Sequence, residues 1–592
     1  IASSATDKCY DVFALARDEL GTLAYGLFVR GGNVISAEGY KIEAEDESFS
    51  ATILDINTRQ LINTRKRSIK NMAKKIQKEK NIEETLWESA NKLRGSVEPS
   101  EYKHVVLSLI FLKYAFDRFV ERRDELIAEG KEAFVDQPVF YNAKNVFYLS
   151  DASRWDYLME NAKQNDIAIK IDAALAQVEK DNLALKGALP SNYYSGLGLD
   201  RTKLASLLDV IGKIDTQKDR EHDLIGRVYE YFLGKFAIAE GKGKGEYYTP
   251  KTIVNLIAEM IQPYRGKIYD PCCGSGGMFV QSMKFIEAHH GNKKDISVYG
   301  QEYTNTTYKL AKMNLAIRGI ACNLGEKAAD TFHDDQHKDL KADFIMANPP
   351  FNQKAWRAEN ELTNDPRWHG YDVPPTSNAN YGWILNIVSK LSTNGMAGFL
   401  LANGALSGDG TELNIRRQLL KNHLVEAIVI LPRNMFYSTD ISVTLWILAG
   451  NRKARTVEQN GELVKYRNRE NEVLFIDLRQ WGEPFEKKYI QFTPEQISQI
   501  AENFHNWQRE GYEQIYRNVP EYCYSATLEE IEGKGWSLVP SKYIEFKSRD
   551  EGIDFDSKMK ELQAEMKELL KQEEESKKDL LNLFKELGYG IE

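Results

Sequence analysis

The middle of this sequence predicts an α/β fold: a mainly parallel sheet with helices on both faces, preceded by a helical domain and followed by one long helix. Three observations carry that prediction. Beyond residue 245 short apolar runs alternate with helical segments, a pattern that needs crossover connections between parallel strands. Upstream, apolar residues recur at helical spacing without such alternation. At the C-terminus they recur every four and three residues. With 592 residues, 42% of them hydrophobic, the chain has enough apolar material for more than one core.

Residues 1–71 stand apart. Short strands are expected at Tyr25 to Val29 and Thr52 to Ile56, separated by Gly31-Gly32 and an acidic patch at Glu43 to Glu47. No methionine precedes Met72, and the text from there, with Lys74, Lys75, Lys78 and Lys80, reads as a fresh start. An artificial extension, a small β domain and a piece of another polypeptide all fit this segment. The first is favoured, because the segment carries no recognisable chemistry.

Residues 72–240 read as a helical N-terminal domain. A helix is expected from Ile82 to Leu93. Val105, Leu109, Leu112, Phe116 and Phe119 then lay one apolar stripe along a second, and Leu224, Val228 and Phe232 repeat the pattern beside Tyr229 and Leu233. Gly241-Lys242-Gly243-Lys244-Gly245 breaks it, as a backbone-exposing loop does.

Residues 241–545 hold the alternating region. Strands are expected at Lys267 to Asp270, Ile296 to Glu302, Ala342 to Ala347, Ala397 to Ala402, Leu424 to Leu431, Val443 to Leu448 and Val473 to Ile476. Helices are expected at Gly277 to His289, Thr304 to Arg318, Gly382 to Leu391 and Thr411 to Asn422. Residues 546–592 carry Phe555, Met559, Leu562, Met566 and Leu569, then Leu580, Leu583 and Leu587, on an amphipathic helix that needs another helix to cover it.

Composition excludes several classes. Five cysteines, two of them adjacent, cannot build a disulfide framework, so a reducing, intracellular setting is expected. No apolar run reaches the ~18 residues of a membrane span. Lys113, Asp117 and Arg118 interrupt the best stretch, Val105 to Val120, and no secretory signal is expected. Lys plus Arg number 78 against 87 Asp plus Glu, a net charge of -9. Chains that coat nucleic acid unaided are usually basic, so any such contact is local or shared with a partner. His289-His290 reads as polar surface at a helix end, and no cluster has zinc-ligand spacing, so no metal is expected.

Four places carry candidate chemistry. The strand ending at Asp270 runs into Pro271-Cys272-Cys273-Gly274-Ser275-Gly276-Gly277 and then a helix. Small residues there let a ligand approach the backbone, and amides at the helix start favour electron-rich groups. Taken alone, this turn fits either a nucleotide site or a tight connection. Glu302, at the tip of the second strand, is placed to accept hydrogen bonds from a ribose diol; a solvated strand end is the plainer reading. Asp330 faces either an adenine amine or its own turn. The fourth strand runs into Asn348-Pro349-Pro350-Phe351, where two prolines stop the sheet and fix the Asn348 amide and the Pro349 carbonyl in place. The long loop from Asn352 to Asn380, with Lys354, Arg357, Arg367 and Trp368, mixes basic and aromatic groups; it lines a DNA groove or is an irregular surface excursion.

Asp270-Pro271-x-x-Gly274-x-Gly276-Gly277 followed by Asn348-Pro349-Pro350-Phe351 resembles the S-adenosylmethionine-dependent DNA adenine-N6 methyltransferases, with the cofactor loop ahead of the catalytic turn as in their gamma arrangement. The helical domain, Gly245-Glu246-Tyr247-Tyr248-Thr249-Pro250 and Ser377-Asn378-Ala379-Asn380-Tyr381-Gly382-Trp383 resemble the modification subunit of type I restriction–modification systems. The resemblance covers about residues 72 to 592 and not residues 1–71.

The resemblance implies a Rossmann-like methyltransferase sheet and site-specific methylation of adenine N6. It also implies S-adenosyl-L-methionine as cofactor and a cytoplasmic, non-membrane setting. Its partners would be DNA, a specificity (target-recognition) subunit, a second copy of the modification subunit and, in some complexes, a restriction/translocase subunit. It assigns Asn348, Pro349, Pro350 and Phe351 to catalysis. Phe351 stacks on an adenine extruded from the duplex, while the Asn348 amide oxygen and the Pro349 carbonyl accept the N6 hydrogens. The cofactor falls to Asp270, Cys273, Gly274, Ser275 and Gly276, with Glu302 on its ribose and Asp330 on its adenine. Glu246, Tyr247, Tyr248, Thr249, Pro250 and Lys251 close over its methionine end. Cys272 and Cys273 depart from the commoner small or hydroxyl residues and read as packing residues. A protein (glutamine) methyltransferase and a non-catalytic DNA-clamp or assembly subunit are the alternatives.

Overall fold

The computed structural model describes residues 9–13, 26–30, 33–34, 42–44, 51–53, 87, 99–213, 231–235, 249–437, 439–485, 489–546 and 555–586. These fall into two compact units, 1–85 and 86–592. In the first, Cys9–Phe13, Gly26–Arg30 and Asn33–Val34 form an antiparallel sheet, and Ile42–Ala44 pairs with Ala51–Ile53. Apart from Trp87, the helix expected at Ile82 to Leu93 lies outside the described residues, as do Leu224 to Tyr229 and the loop at 241–245.

The second unit opens on α1 (Pro99–Ala128). Its stripe is buried at Val105, Leu109, Leu112 and Phe119. With α2 (Ile167–Asp181) and α3 (Arg201–Gly212) it builds the helical domain. That domain is tied to the sheet region by hydrogen bonds to backbone carbonyls. Tyr114 Oη donates to Ile317 (2.8 Å), Lys309 Nζ to Leu189 (3.1 Å) and Lys312 Nζ to Lys186 (2.9 Å).

Nine strands form the central sheet: β1 (Gly266–Asp270), β2 (Ile296–Gly300), β3 (Cys322–Asn323), β4 (Ala342–Ala347), β5 (Leu391–Ala402), β6 (Val425–Ile430), β7 (Val443–Ala449), β8 (Glu472–Asp477) and β9 (Cys523–Thr527). Their order is β9-β8-β6-β7-β5-β4-β1-β2-β3. The run from β5 through β4, β1 and β2 to β3 is parallel throughout, and β6 and β8 also pair in parallel. β7 is antiparallel to both β5 and β6, and β9 is antiparallel to β8. The sheet is therefore mixed, with its parallel half on the side that carries the motifs.

Alternation along the strands sends side chains to two cores. On one face Ile268, Leu400, Leu445 and Ile447 meet α4 (Lys251–Ile261), α5 (Gly277–Ala288), α6 (Asn305–Ile317) and α9 (Pro494–Gln508). On the other, Tyr269, Phe399, Trp446 and Leu448 meet α7 (Asn380–Lys390) and α8 (Thr411–Lys421). The last element, α10 (Phe555–Glu586), is long and exposed. Its Met559, Leu562, Met566, Leu569 and Leu580 are all between 39% and 57% exposed, so the apolar row is uncovered. Among the described residues, no helix is long and apolar enough to cross a membrane.

Candidate active site

From β1 the sheet grows outward through β2 to β3, then returns to β4 on the opposite side of β1. Such a reversal opens a crevice at the carboxyl ends of the strands. Asp270 pairs with Gly300 and Tyr269 with Ile345, so Asp270, Glu302 and Asn348 leave adjacent strands at one edge.

The glycine loop is built around two left-handed residues, Gly274 (φ +53°) and Gly276 (φ +81°). Among the described residues, a side chain above Gly274 or Gly277 would meet no atom within 4 Å, so on that side the loop offers a surface for a ligand to lie against. Asp270 is 1% exposed, and its Oδ1 accepts from the Cys272 amide at 3.0 Å. Burial, with the Glu302 charge adding to it, pushes its carboxyl up to about 7. Asp270 thus shapes the turn from beneath. Asn314 Nδ2 holds the Ser275 carbonyl at 2.7 Å from the side of α6.

Glu302 accepts from the Gly274 amide at 3.0 Å and the Thr304 amide at 2.8 Å, which aims its carboxylate along the loop. Asp330 Oδ1 accepts from the Phe332 amide at 2.7 Å, a turn-capping bond, while its Oδ2 lies 3.4 Å from His333 Nδ1. Gln301, fully buried and not singled out from the sequence, stitches these pieces together. Its side chain donates to the Ala329 and Asp334 carbonyls and accepts from the Gln336 amide.

The proline-locked corner faces the same edge. Asn348 is 8% exposed; its Nδ2 donates to Thr249 Oγ1 at 3.0 Å, and its Oδ1 is buried without a hydrogen-bond partner among the described residues. A buried acceptor left unpaired is costly in a resting fold and is usually explained by a role. The half-buried Phe351 ring packs edge-on against Phe436 at 6.1 Å. Behind it Asn352 takes a left-handed backbone (φ 52°), held by Asn380, whose Oδ1 accepts from the Asn352 amide (3.1 Å) and whose Nδ2 donates to Asn352 Oδ1 (2.9 Å). That clamp is a structural reason for the asparagine that begins α7. Glu246, Tyr247 and Tyr248 lie outside the described residues; Thr249, Pro250 and Lys251 lead into α4.

Residues 220–552, more than half the chain, match the model of the N-6 DNA Methylase family. The chain belongs to that family. Residues 82–214 match the HsdM N-terminal domain model. The chain is 40% identical to the type I restriction enzyme HindI methylase subunit of Haemophilus influenzae over 74% of its length and 99% of the relative's. It is 36% identical to the MjaIX methylase subunit of Methanocaldococcus jannaschii over 86% of its length and 92% of that protein's. The crystal structure of a type I methyltransferase subunit from Streptococcus thermophilus superposes with a TM-score of 0.65 at 22% identity, covering 78% of this chain and 99% of that one, which shows a shared fold.

As a member of the N-6 DNA methylases the chain is an adenine-N6 DNA methyltransferase with S-adenosylmethionine as its methyl donor. The loop fits that donor: an open glycine surface, a neighbouring carboxylate in Glu302 and an unpaired amide oxygen at one strand edge. Among the described residues, no group of three or more His, Cys, Asp or Glu is placed to hold a metal ion.

In this methylase the loop from Asn352 to Asn380 is not a basic groove. Arg357 and Arg367 are each 9% exposed and Trp368 is 3%. Arg357 donates to the carbonyls of Ala358, Glu359, Glu361 and Pro374, and Arg367 to those of Thr331 and Phe332 while pairing with Asp365. Trp356 and Trp383 both pack on Phe332 with ring centres 4.4 Å apart. Arg357 ties the long loop to its own backbone and Arg367 ties it to the segment after Asp330; of the four residues, only Lys354 is exposed. Cys273, 5% exposed, has its thiol pushed well above the ordinary range by burial, then by Asp270 and Glu302. It should therefore resist iodoacetamide at pH 8 in the folded protein; stoichiometric labelling measured by mass spectrometry would contradict a packing role.

Proposed function

We propose that this methylase is the modification subunit of a type I restriction–modification enzyme and that its chemistry is done by the corner at Asn348–Phe351. The observation that carries the site is the buried Asn348 Oδ1, without a hydrogen-bond partner among the described residues, at the edge shared with the glycine loop. Adenine N6 is unreachable inside the stack, so the target base leaves the duplex and stacks on Phe351. Asn348 Oδ1 and the Pro349 carbonyl accept its two N6 hydrogens. Those bonds keep the nitrogen lone pair out of the ring and stabilise the positive charge that grows on nitrogen. Proline on either side of the carbonyl fixes its direction before the base arrives.

When bound, S-adenosylmethionine supplies an electrophilic methyl on a sulfonium. Gly274, Ser275 and Gly276 would lie along it, Glu302 would take its ribose hydroxyls and Asp330 its adenine amine, with Pro250 and Lys251 beside its methionine end. Asp270 and Cys273 support the loop from below, a role that suits their burial better than direct contact. Tritiated-methyl transfer to DNA and to protein, measured side by side, tests the reading; label on protein glutamine with none on DNA adenine overturns it.

Net charge -9 leaves duplex grip and sequence choice to a partner. A specificity subunit supplies both, with DNA, a second modification subunit and, in the full enzyme, a restriction/translocase subunit completing the assembly in the cytoplasm. The uncovered row on α10 is the contact proposed for the specificity subunit. Deleting residues 553–592 should abolish co-sedimentation with that subunit without lowering the melting temperature of the remainder. Assembly at unchanged affinity would remove α10 from the interface.

A further inference from the structure

Thr249 stands two residues before the first residue of α4 and is followed by Pro250 at the helix N-cap, whose carbonyl accepts the first helical amides, from Ile253 at 3.0 Å and Val254 at 3.2 Å. α4 is pinned in turn: Ile253, Val254, Leu256, Ile257, Ala258, Met260 and Ile261 are all buried. Thr249 is therefore delivered to the corner by a rigid element, and its branched side chain has few rotamers. Its hydroxyl oxygen stands 3.0 Å from Asn348 Nδ2.

An asparagine amide has two ends of similar shape and opposite hydrogen-bonding character. Turned one way, Asn348 presents an acceptor to the crevice; turned the other, it presents two N–H donors to an amine that also donates. The second arrangement would repel the base and destabilise positive charge on N6. A partner that occupies the nitrogen end selects the first.

We propose that Thr249 is a positioning residue: its hydroxyl takes the Asn348 amide nitrogen and so holds Oδ1 toward the adenine amine. This assigns Thr249 to the amide and not to the methyl donor's methionine end, and it rests on the proposed role of Asn348. The hydroxyl does no bond making. It sets which end of a neighbouring side chain does the stabilising.

The test uses the full chain assembled with its specificity subunit, tritiated S-adenosylmethionine and unmethylated genomic DNA. Thr249→Val keeps the shape and removes the hydroxyl. It should lower kcat by about ten- to hundredfold and leave the dissociation constant for S-adenosylmethionine within about twofold, while Thr249→Ser restores most of the rate. In an Asn348→Asp background the two carboxylate oxygens are equivalent and need no selection, so adding Thr249→Val should change kcat by less than about threefold. Melting temperatures are read first, and Thr249→Ala replaces the valine variant if valine unfolds the chain.

A kcat within twofold of the parent, a loss confined to donor affinity, a serine variant as impaired as valine, or a full valine effect on the aspartate background would each overturn the proposal. A parent complex that transfers nothing to DNA adenine overturns the reading beneath it, whereas an inactive Asn348→Ala beside a fully active Thr249→Val overturns the positioning role alone.

Discussion

Asn348→Ala is expected to lower methyl transfer to DNA adenine by about 10²–10³-fold, the scale seen when one fixed group that stabilises transition-state charge is removed, and to leave donor binding unchanged. The separation follows from where the side chain lies. Asn348 makes its one described side-chain hydrogen bond to Thr249, and nothing in the glycine loop leans on it. Truncation removes the buried Oδ1 acceptor without disturbing Gly274, Ser275 or Glu302. Single-turnover transfer with saturating donor, set beside equilibrium binding of S-adenosylmethionine, reads the two effects apart. A variant that keeps more than a tenth of the parent rate would show that the acceptor at this corner is dispensable. Asn348→Asp retains an oxygen at the same place and should fall between the two.

Most of this corner was legible because its signals are local. Two prolines after an apolar strand stop the strand wherever they occur, and glycines between a strand and a helix mark positive φ, found here at Gly274 and Gly276. All seven strands and four helices expected between residues 267 and 476 are present, with ends that shift by a few residues. β5 shifts most, starting six residues early at Leu391. What stayed hidden depends on direction or on distant partners. An apolar run such as β7 reads the same parallel or antiparallel, and only its place between β5 and β6 fixes its sense. The arginines at 357 and 367 carry the composition of a DNA groove, but their guanidinium groups turn inward, Arg357 to carbonyls of the loop itself and Arg367 to the Thr331 and Phe332 carbonyls of the neighbouring segment. α4 is not among the expected helices although Ile253, Leu256, Ile257 and Met260 have helical spacing, since eleven residues starting after a proline are short enough to read as the tail of the preceding loop. Thr249 reaches an asparagine 99 positions away, a pairing no spacing rule reveals.

The second large effect lies far from the crevice. Glu426, on β6, is fully buried within the run Val425 to Ile430. Its Oε2 accepts from Arg452 Nε at 2.6 Å, and its Oε1 accepts from Arg469 Nε at 2.8 Å and Gln508 Nε2 at 3.1 Å. Arg452 and Arg469 are themselves 2% and 1% exposed. Burial alone would raise the carboxyl, but the two guanidinium groups and the Gln508 amide outweigh it and hold the group at about 2. A folded value below the unfolded one means that the ion contributes stability above the unfolded value of about 4.5 and that this contribution is lost as pH falls toward 2. The difference is on the order of 3 kcal/mol. Glu426→Ala leaves two buried cations facing each other, and breaking such a cluster from one side costs about 3–5 kcal/mol, enough to lower the melting temperature of a domain this large by roughly 3–8 °C. Calorimetry at pH 7 reads it, and the gap between parent and variant should narrow as pH is lowered from 5 to 3. Replacing Glu426, Arg452 and Arg469 together with apolar residues of similar length removes the unpaired charges, so it should recover much of the loss. If the single variant melts within 2 °C of the parent, or the triple variant melts well below the single one, the cluster is not an uncompensated-charge problem and its stabilising role fails.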